Sequence, residues 1–160
     1  MKYIMSIILL LIFTLGCDNT PKVENNNVKV KDTIVFNCLI FPSGVPSETY
    51  SIQLHSEGNM TVKFGEKAIG TKGFTKVYKS EIKTLDKSDY NRLLKLQEGI
   101  NGMKEVKRGQ LKKGGWEIII ESNNNIYHFY YGDLKGSFLH EIINAIKEVS
   151  PIEIDIHGWS

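Results

Sequence analysis

The chain holds four histidines and two cysteines, and few stretches space such residues so that they could do chemistry. His140-Glu141-Ile142-Ile143-Asn144 has the opening of a zinc-protease helix, in which a His, a Glu and a second His one turn on share a face. Asn144 stands where the second His is needed, and an amide is a poor zinc donor. The stretch therefore reads as the solvent face of an amphipathic helix. Glu153, Asp155 and His157 alternate along one side of an extended segment. Residues two apart on a strand lie roughly 7 Å apart, so neighbours could share a cation, but three in a row are too spread for a compact site. They read as a solvated strand face. His55 falls on the polar side of a hairpin. His128 shares a side with Ile126 and Tyr130, opposite the predicted core. An open side there would form an aromatic contact patch; a helix-covered side would make His128 a buried, hydrogen-bonded residue, and that covered arrangement is the expectation. There is no Gly-x-Ser-x-Gly elbow, no paired-cysteine metal motif and no dinucleotide fingerprint. No catalytic residue, metal or cofactor is assigned, and a non-enzymatic role is expected.

Charge supplies the other candidate. Residues 63–113 carry 14 Lys/Arg against 6 Asp/Glu, a net of +8, whereas residues 117–160 carry 2 against 7, a net of −5. The most unusual part is Gly99 to Gly115, GINGMKEVKRGQLKKGG, with five basic residues, Lys104, Lys107, Arg108, Lys112 and Lys113, among five glycines. It lacks the Gly-Lys-Ser/Thr ending of a phosphate loop. It reads as a loop that could meet an acidic envelope protein, a polyanionic glycan or anionic lipid. Nucleic acid is not an expected partner for an exported chain.

Export is the reading of Met1 to Cys17, MKYIMSIILLLIFTLGC. Lys2 provides a positive start, Ile4 to Phe13 a short apolar core, and Gly16 a small residue before Cys17. As a helix this apolar run of about 12 residues spans roughly 18 Å, well short of a hydrocarbon core of about 30 Å. The Gly16-Cys17 ending resembles the lipobox of bacterial lipoproteins, with Thr14 where that family usually has Leu. The resemblance implies cleavage before Cys17 and diacylglycerol on its thiol. Two or more acyl chains anchor a protein far more firmly than one. The expected organisation is a signal peptide over residues 1–16, the lipidated Cys17 with a disordered polar tether over 17–32, and one domain over 33–160. The expected location is the cell envelope, with the domain facing the periplasm or exterior. Lipid on Cys17 would leave Cys38 unpaired within this chain, inside the apolar run Thr33 to Phe41, where a free thiol packs as a small hydrophobe.

The domain reads as α+β. Tyr50, Ile52 and Leu54 alternate with polar residues, as do Met60, Val62 and Phe64, on either side of the turn Glu57-Gly58-Asn59; together they predict a hairpin. Gly65 to Phe74 reads as irregular and Thr75 to Lys83 as a further strand. Leu85 to Leu96 predicts a helix, with Asp86 as its cap, Tyr90, Leu93 and Leu94 as its buried stripe, and Gly99 as its stop. Trp116 to Glu121 and Ile126 to Tyr131 predict a second hairpin. A second helix, Leu134 to Val149, is expected behind an Asp133 cap, with Phe138, Ile142, Ala145, Ile146 and Val149 facing the core. Pro151 to His157 is expected as a strand or an extended cover. The sum is an antiparallel sheet of about five to seven strands with two helices on one face.

The stretch Pro46 to Gly65, PSETYSIQLHSEGNMTVKFG, resembles the opening hairpin of a family of small bacterial lipoproteins with no settled activity. In that family a Pro-x-Tyr strand turns through a Gly and returns to an aromatic-Gly end. Leu85-Asp86 at a helix start and Trp159 near the end fit the same pattern. Members often carry cysteines just before the Pro, whereas Cys38 lies further upstream. The resemblance carries over no catalytic residue. The functional expectation is a membrane-anchored, non-catalytic binding or structural module, in one form an immunity or inhibitor lipoprotein; the alternative is an extracytoplasmic hydrolase. In a bacterial host the wild-type chain should enter the membrane fraction and incorporate labelled palmitate, and Cys17→Ser should lose both.

Overall fold

The computed structural model describes residues 32–68, 71, 73–103 and 115–157. Cys17, the export segment, most of the tether, the basic residues Lys104, Lys107, Arg108, Lys112 and Lys113, and Trp159 lie outside the described residues.

Six strands form one antiparallel sheet: β1 (Ile34–Pro42), β2 (Thr49–His55), β3 (Asn59–Lys67), β4 (Phe74–Thr84), β5 (Trp116–Ser122) and β6 (Asn125–Tyr130). Their spatial order is β4-β3-β2-β1-β5-β6. The first four strands would form a plain meander, but β5 joins at β1 rather than at β4. Helix α1 (Lys87–Asn101) lies in the connection between β4 and β5, and α2 (Phe138–Val149) follows β6. The fold is α+β, with both helices on one face of the sheet.

Register explains the sidedness. Cys38 stands opposite Ile52 on one side and Ile120 on the other, and Ile52 stands opposite Val62. Side chains alternate across a strand, so Phe36, Cys38, Ile40, Tyr50, Ile52, Leu54, Met60, Val62, Ile118 and Ile120 share one face. Leu93 and Ile100 of α1 and Leu139, Ile142, Ile143, Ile146 and Val149 of α2 close over it. Arg92 and Glu148 join the two helices at 2.6 Å. Residues 151–157 form no strand; they run as an extended cover that returns Ile152 and Ile154 to the core. Trp116 Nε1 donates to the His157 carbonyl at 2.6 Å and holds that cover down. Burial pushes the Cys38 thiol well above its ordinary range, as for a packed, inert hydrophobe. No helix among the described residues is long and apolar enough to cross a membrane.

Three boundaries differ from expectation. Gly99 does not stop α1, which runs on to Asn101. A Cβ at residue 99 would collide with the ring of Phe138 on α2, so this glycine serves a helix crossing rather than a helix end. Asp133 does not cap α2; it sits in a 3-10 turn, Tyr131–Leu134, and Ser137 takes the cap position. The segment after Gly65 is not irregular at its start, because β3 continues to Lys67. Asp86 is the α1 cap as expected, accepting from the Asp89 amide at 2.8 Å. That bond, with a second from Ser88, holds the Asp86 carboxyl below its usual value.

Gly65 sits at a shift of register between β3 and β4. A Cβ there would run into the backbone carbonyl of Lys76, which cannot swing aside as a side chain can. Gly65→Ala should therefore destabilise the domain by about 1–3 kcal/mol. Gly132→Ala, with nothing within 4 Å of the added carbon, should stay within about 0.5 kcal/mol. Urea denaturation of the two variants beside wild type measures both.

Candidate functional site

The described residues enclose a groove of about 910 Å³ around the end of the sheet where β1 begins and β5 turns into β6. That volume is near the upper end of what small-ligand pockets occupy. Helix α1 supplies one wall through Leu94, Gln97, Glu98 and Asn101. The β5–β6 turn supplies another. Asn123 and Asn124 both have positive φ, 48° and 65°, the backbone of a two-residue hairpin turn that Asn tolerates well. Among the described residues that line it, seven of fourteen are carboxamides and two are glutamates.

The polar groups of the groove are held in fixed orientations. Gln97 is buried, and its Nε2 donates to the Val35 carbonyl and to Ser122 Oγ, both at 2.9 Å. Ser122 Oγ passes a hydrogen bond on to Asn101 Oδ1 at 3.1 Å. On the sheet face away from the helices, Asn37 Nδ2 donates to Glu121 Oε2 at 3.0 Å. Two groups remain oriented by these bonds yet unused among the described residues: Asn101 Nδ2 as a donor, and Asn37 Oδ1, a buried acceptor with no partner. Burying an acceptor unpaired costs about 1–3 kcal/mol, a cost that a bound donor would remove.

The histidines lie elsewhere. His55 contacts Asp32 through Nδ1 at 3.1 Å and Thr61 Oγ1 through Nε2 at 3.2 Å. This is the order of a carboxylate–imidazole–hydroxyl relay, carried on the face away from the helices. His128 is not covered by helices, contrary to expectation, because both helices took the other face. It is nevertheless hydrogen-bonded, with Nε2 2.6 Å from Glu117 Oε2, and its side chain is 22% exposed against 8% for Glu117. Lys67 stands 4.5 Å above the Phe41 ring near this pair. Burial lowers the Lys67 pKa, and the Glu117 charge pulls it back up. His157 lies 3.4 Å from Asp155 and 3.6 Å from Glu48, with Glu153 exposed beside it. His140 stacks on Tyr131 at 5.5 Å and does not meet Asn144 in a metal arrangement. No cluster of three or more His, Cys, Asp or Glu among the described residues is placed to hold a metal ion.

The groove was not read from the sequence, although one signal pointed to it. Gln97 and Asn101 continue the stripe of Leu93 at helical spacing, so two polar residues stand on the buried side of α1. Compared with family models, curated proteins and solved structures, the chain matches none.

Gln97→Leu would leave the Val35 carbonyl and Ser122 hydroxyl without their donor. It should cost about 1–3 kcal/mol in a urea titration, while Glu98→Ala, exposed on the next position of the same wall, should be near neutral.

Proposed function

We propose that this chain is a lipid-anchored binding module of the cell envelope, held to the membrane through acylated Cys17 and working without catalysis. The observation that carries the reading is the groove. Its side chains are oriented hydrogen-bonding groups, half of the described lining residues being carboxamides. Oriented donors and acceptors around a concavity of this size favour recognition of a ligand. The lipobox-like ending at Gly16-Cys17 and the polar residues up to Asp32 support a domain tethered near a membrane. The basic residues Lys104, Lys107, Arg108, Lys112 and Lys113 follow α1 directly in sequence. They suit an acidic envelope protein or polyanion, because charge complementarity steers encounter and sets specificity. An inhibitor or immunity role is one form of the same reading, in which the bound partner is a toxin or hydrolase.

One observation favours a second reading. Asp32, His55 and Thr61 stand in the order of a hydrolytic relay, which keeps an extracytoplasmic hydrolase in play. A capture experiment from envelope extract separates the two. The bait is the full chain in detergent, compared with a variant carrying Lys107→Ser, Arg108→Ser, Lys112→Ser and Lys113→Ser. The expected result is a partner that dissociates as salt rises and is lost with the variant. Turnover of an ester, peptide or glycan that survives purification and disappears in His55→Ala or Thr61→Ala would overturn the non-catalytic reading.

A further inference from the structure

We infer that the edge strand β4 pairs with β4 of a second copy of this chain, antiparallel and centred on Ile82, so that two sheets join into one. This goes beyond the groove and does not depend on what the groove binds. Among the described residues β4 lies at the end of the sheet, with β3 on one side and no strand on the other. Backbone groups alternate in direction along an antiparallel strand, so every second residue of a free edge directs its N–H and C=O outward, a template for another strand. β4 has 11 residues, no proline and almost no cover. Its last part is regular. Lys79, Ser80, Glu81, Ile82, Lys83 and Thr84 pair one for one with residues 64 down to 59 of β3, and the register shifts only beyond them, at Gly65. Within this regular part Ile82 is 72% exposed.

The regular part is complementary to itself. A two-fold axis through Ile82 sets residues equally distant from it opposite each other on one face. Ile82 then meets the second copy's Ile82, Glu81 meets its Lys83, Lys83 its Glu81, and Ser80 its Thr84. Each is a favourable cross-strand pair, apolar, oppositely charged or hydroxyl to hydroxyl. The groups have room for it. Glu81 uses Oε1 for Lys79 at 2.8 Å and keeps Oε2. Lys83 donates one N–H to the Val149 carbonyl at 2.9 Å and keeps two. Neighbouring registers fail. An axis at Glu81 sets Lys79 against Lys83 and Glu81 against itself, and an axis at Lys83 sets that lysine against itself. Like charges directly opposed are destabilising. An axis at Ser80 pairs Lys79 with Glu81 but carries Ile82 against Tyr78, the residue that the β3–β4 register skips. The lysines that guard this edge against other strands thus fix the register of this one. Five residues a side fall short of a standard interface of about 1,600 Å². The contact is therefore weak, made by copies held close together, as on one membrane, and not by dilute ones.

Disulfide trapping tests the pairing on the full chain, concentrated in dodecylphosphocholine micelles and mildly oxidised. Ile82→Cys sets two thiols opposite each other, within the Cα separation of about 4.4–6.8 Å that a disulfide spans. Ser80→Cys sets them roughly 13 Å apart along the strands, out of reach, and detects the competing axis at Ser80. Wild type controls for Cys17 and Cys38. The expected result is a covalent dimer from Ile82→Cys, seen on a non-reducing gel, and none above the wild-type level from Ser80→Cys. Adding Glu81→Lys to Ile82→Cys opposes lysine to lysine and should lower trapping by about tenfold. Mixing that protein with one carrying Lys83→Glu and Ile82→Cys should restore it, because unlike charges face each other again in the mixed pair. The comparison of Ile82→Cys with Ser80→Cys stands without the charge variants, should either of those fail to fold by circular dichroism. No dimer from Ile82→Cys, or equal trapping of Ser80→Cys, would overturn the pairing. So would a chain that gives no trapped dimer but whose β4 amides become protected from exchange when the peptide Glu-Val-Glu-Val-Glu is added, since the edge would then belong to an acidic partner strand.

Discussion

The pairing of β1 with β5 is the constraint on which the rest of the domain depends. β1 is central, with β2 on one side and β5 on the other, and only this second ladder joins the N-terminal meander to the C-terminal hairpin. The Asn37–Glu121 hydrogen bond along it spans 84 residues. Closing a loop of that length carries an entropic cost that local hairpins avoid. It is offset by burial. Cys38 and Ile40 meet Ile120 and Ile118 across the ladder, and these become the floor on which α1 and α2 pack. Gln97 then ties α1 to β1 through the Val35 carbonyl and to β5 through Ser122. The groove exists because these three elements converge at one end of the sheet, and it would vanish with the ladder.

The charge asymmetry acquires a physical meaning from the same topology. Part of the positive charge of residues 63–113 lies on β4, an edge strand that is exposed almost throughout. Lys76, Lys79 and Lys83 line it beside the exposed apolar Val77, Tyr78 and Ile82. Lysines on an edge discourage pairing with another chain, so these charges guard the sheet as much as they could attract a partner. The carboxylates of the groove lie elsewhere, Glu98 on α1 and Glu121 on β5. Part of the net charge read along the sequence thus guards an edge against indiscriminate pairing.

Much of the architecture was legible because its signals are local. The alternation in Tyr50 to Leu54, Met60 to Phe64 and Trp116 to Ile120 has the period of a strand, and the stripe from Ile142 to Val149 has that of a helix. Asp86 was legible as a cap because its partner, the Asp89 amide, is three residues away. Gly99 misled because the reason for it, the Phe138 ring, comes from another helix. Asp133 misled because a 3-10 turn, Tyr131–Leu134, holds it before the helix begins at Phe138.

The sequence by itself determined the α+β class, the identity of most strands, the two amphipathic helices and the burial of Cys38, since each follows from the spacing of apolar residues a few positions apart. Only the tertiary structure decided which face the helices cover, and with it that His128 pairs with Glu117 beside no helix. It alone placed Asp32, His55 and Thr61 together, and Gln97 beside Ser122 and Asn37 beside Glu121. The physical reason is the same in each case. A strand pattern specifies two faces without naming which is covered, and a hydrogen bond between residues tens of positions apart leaves no periodic trace in the chain that forms it.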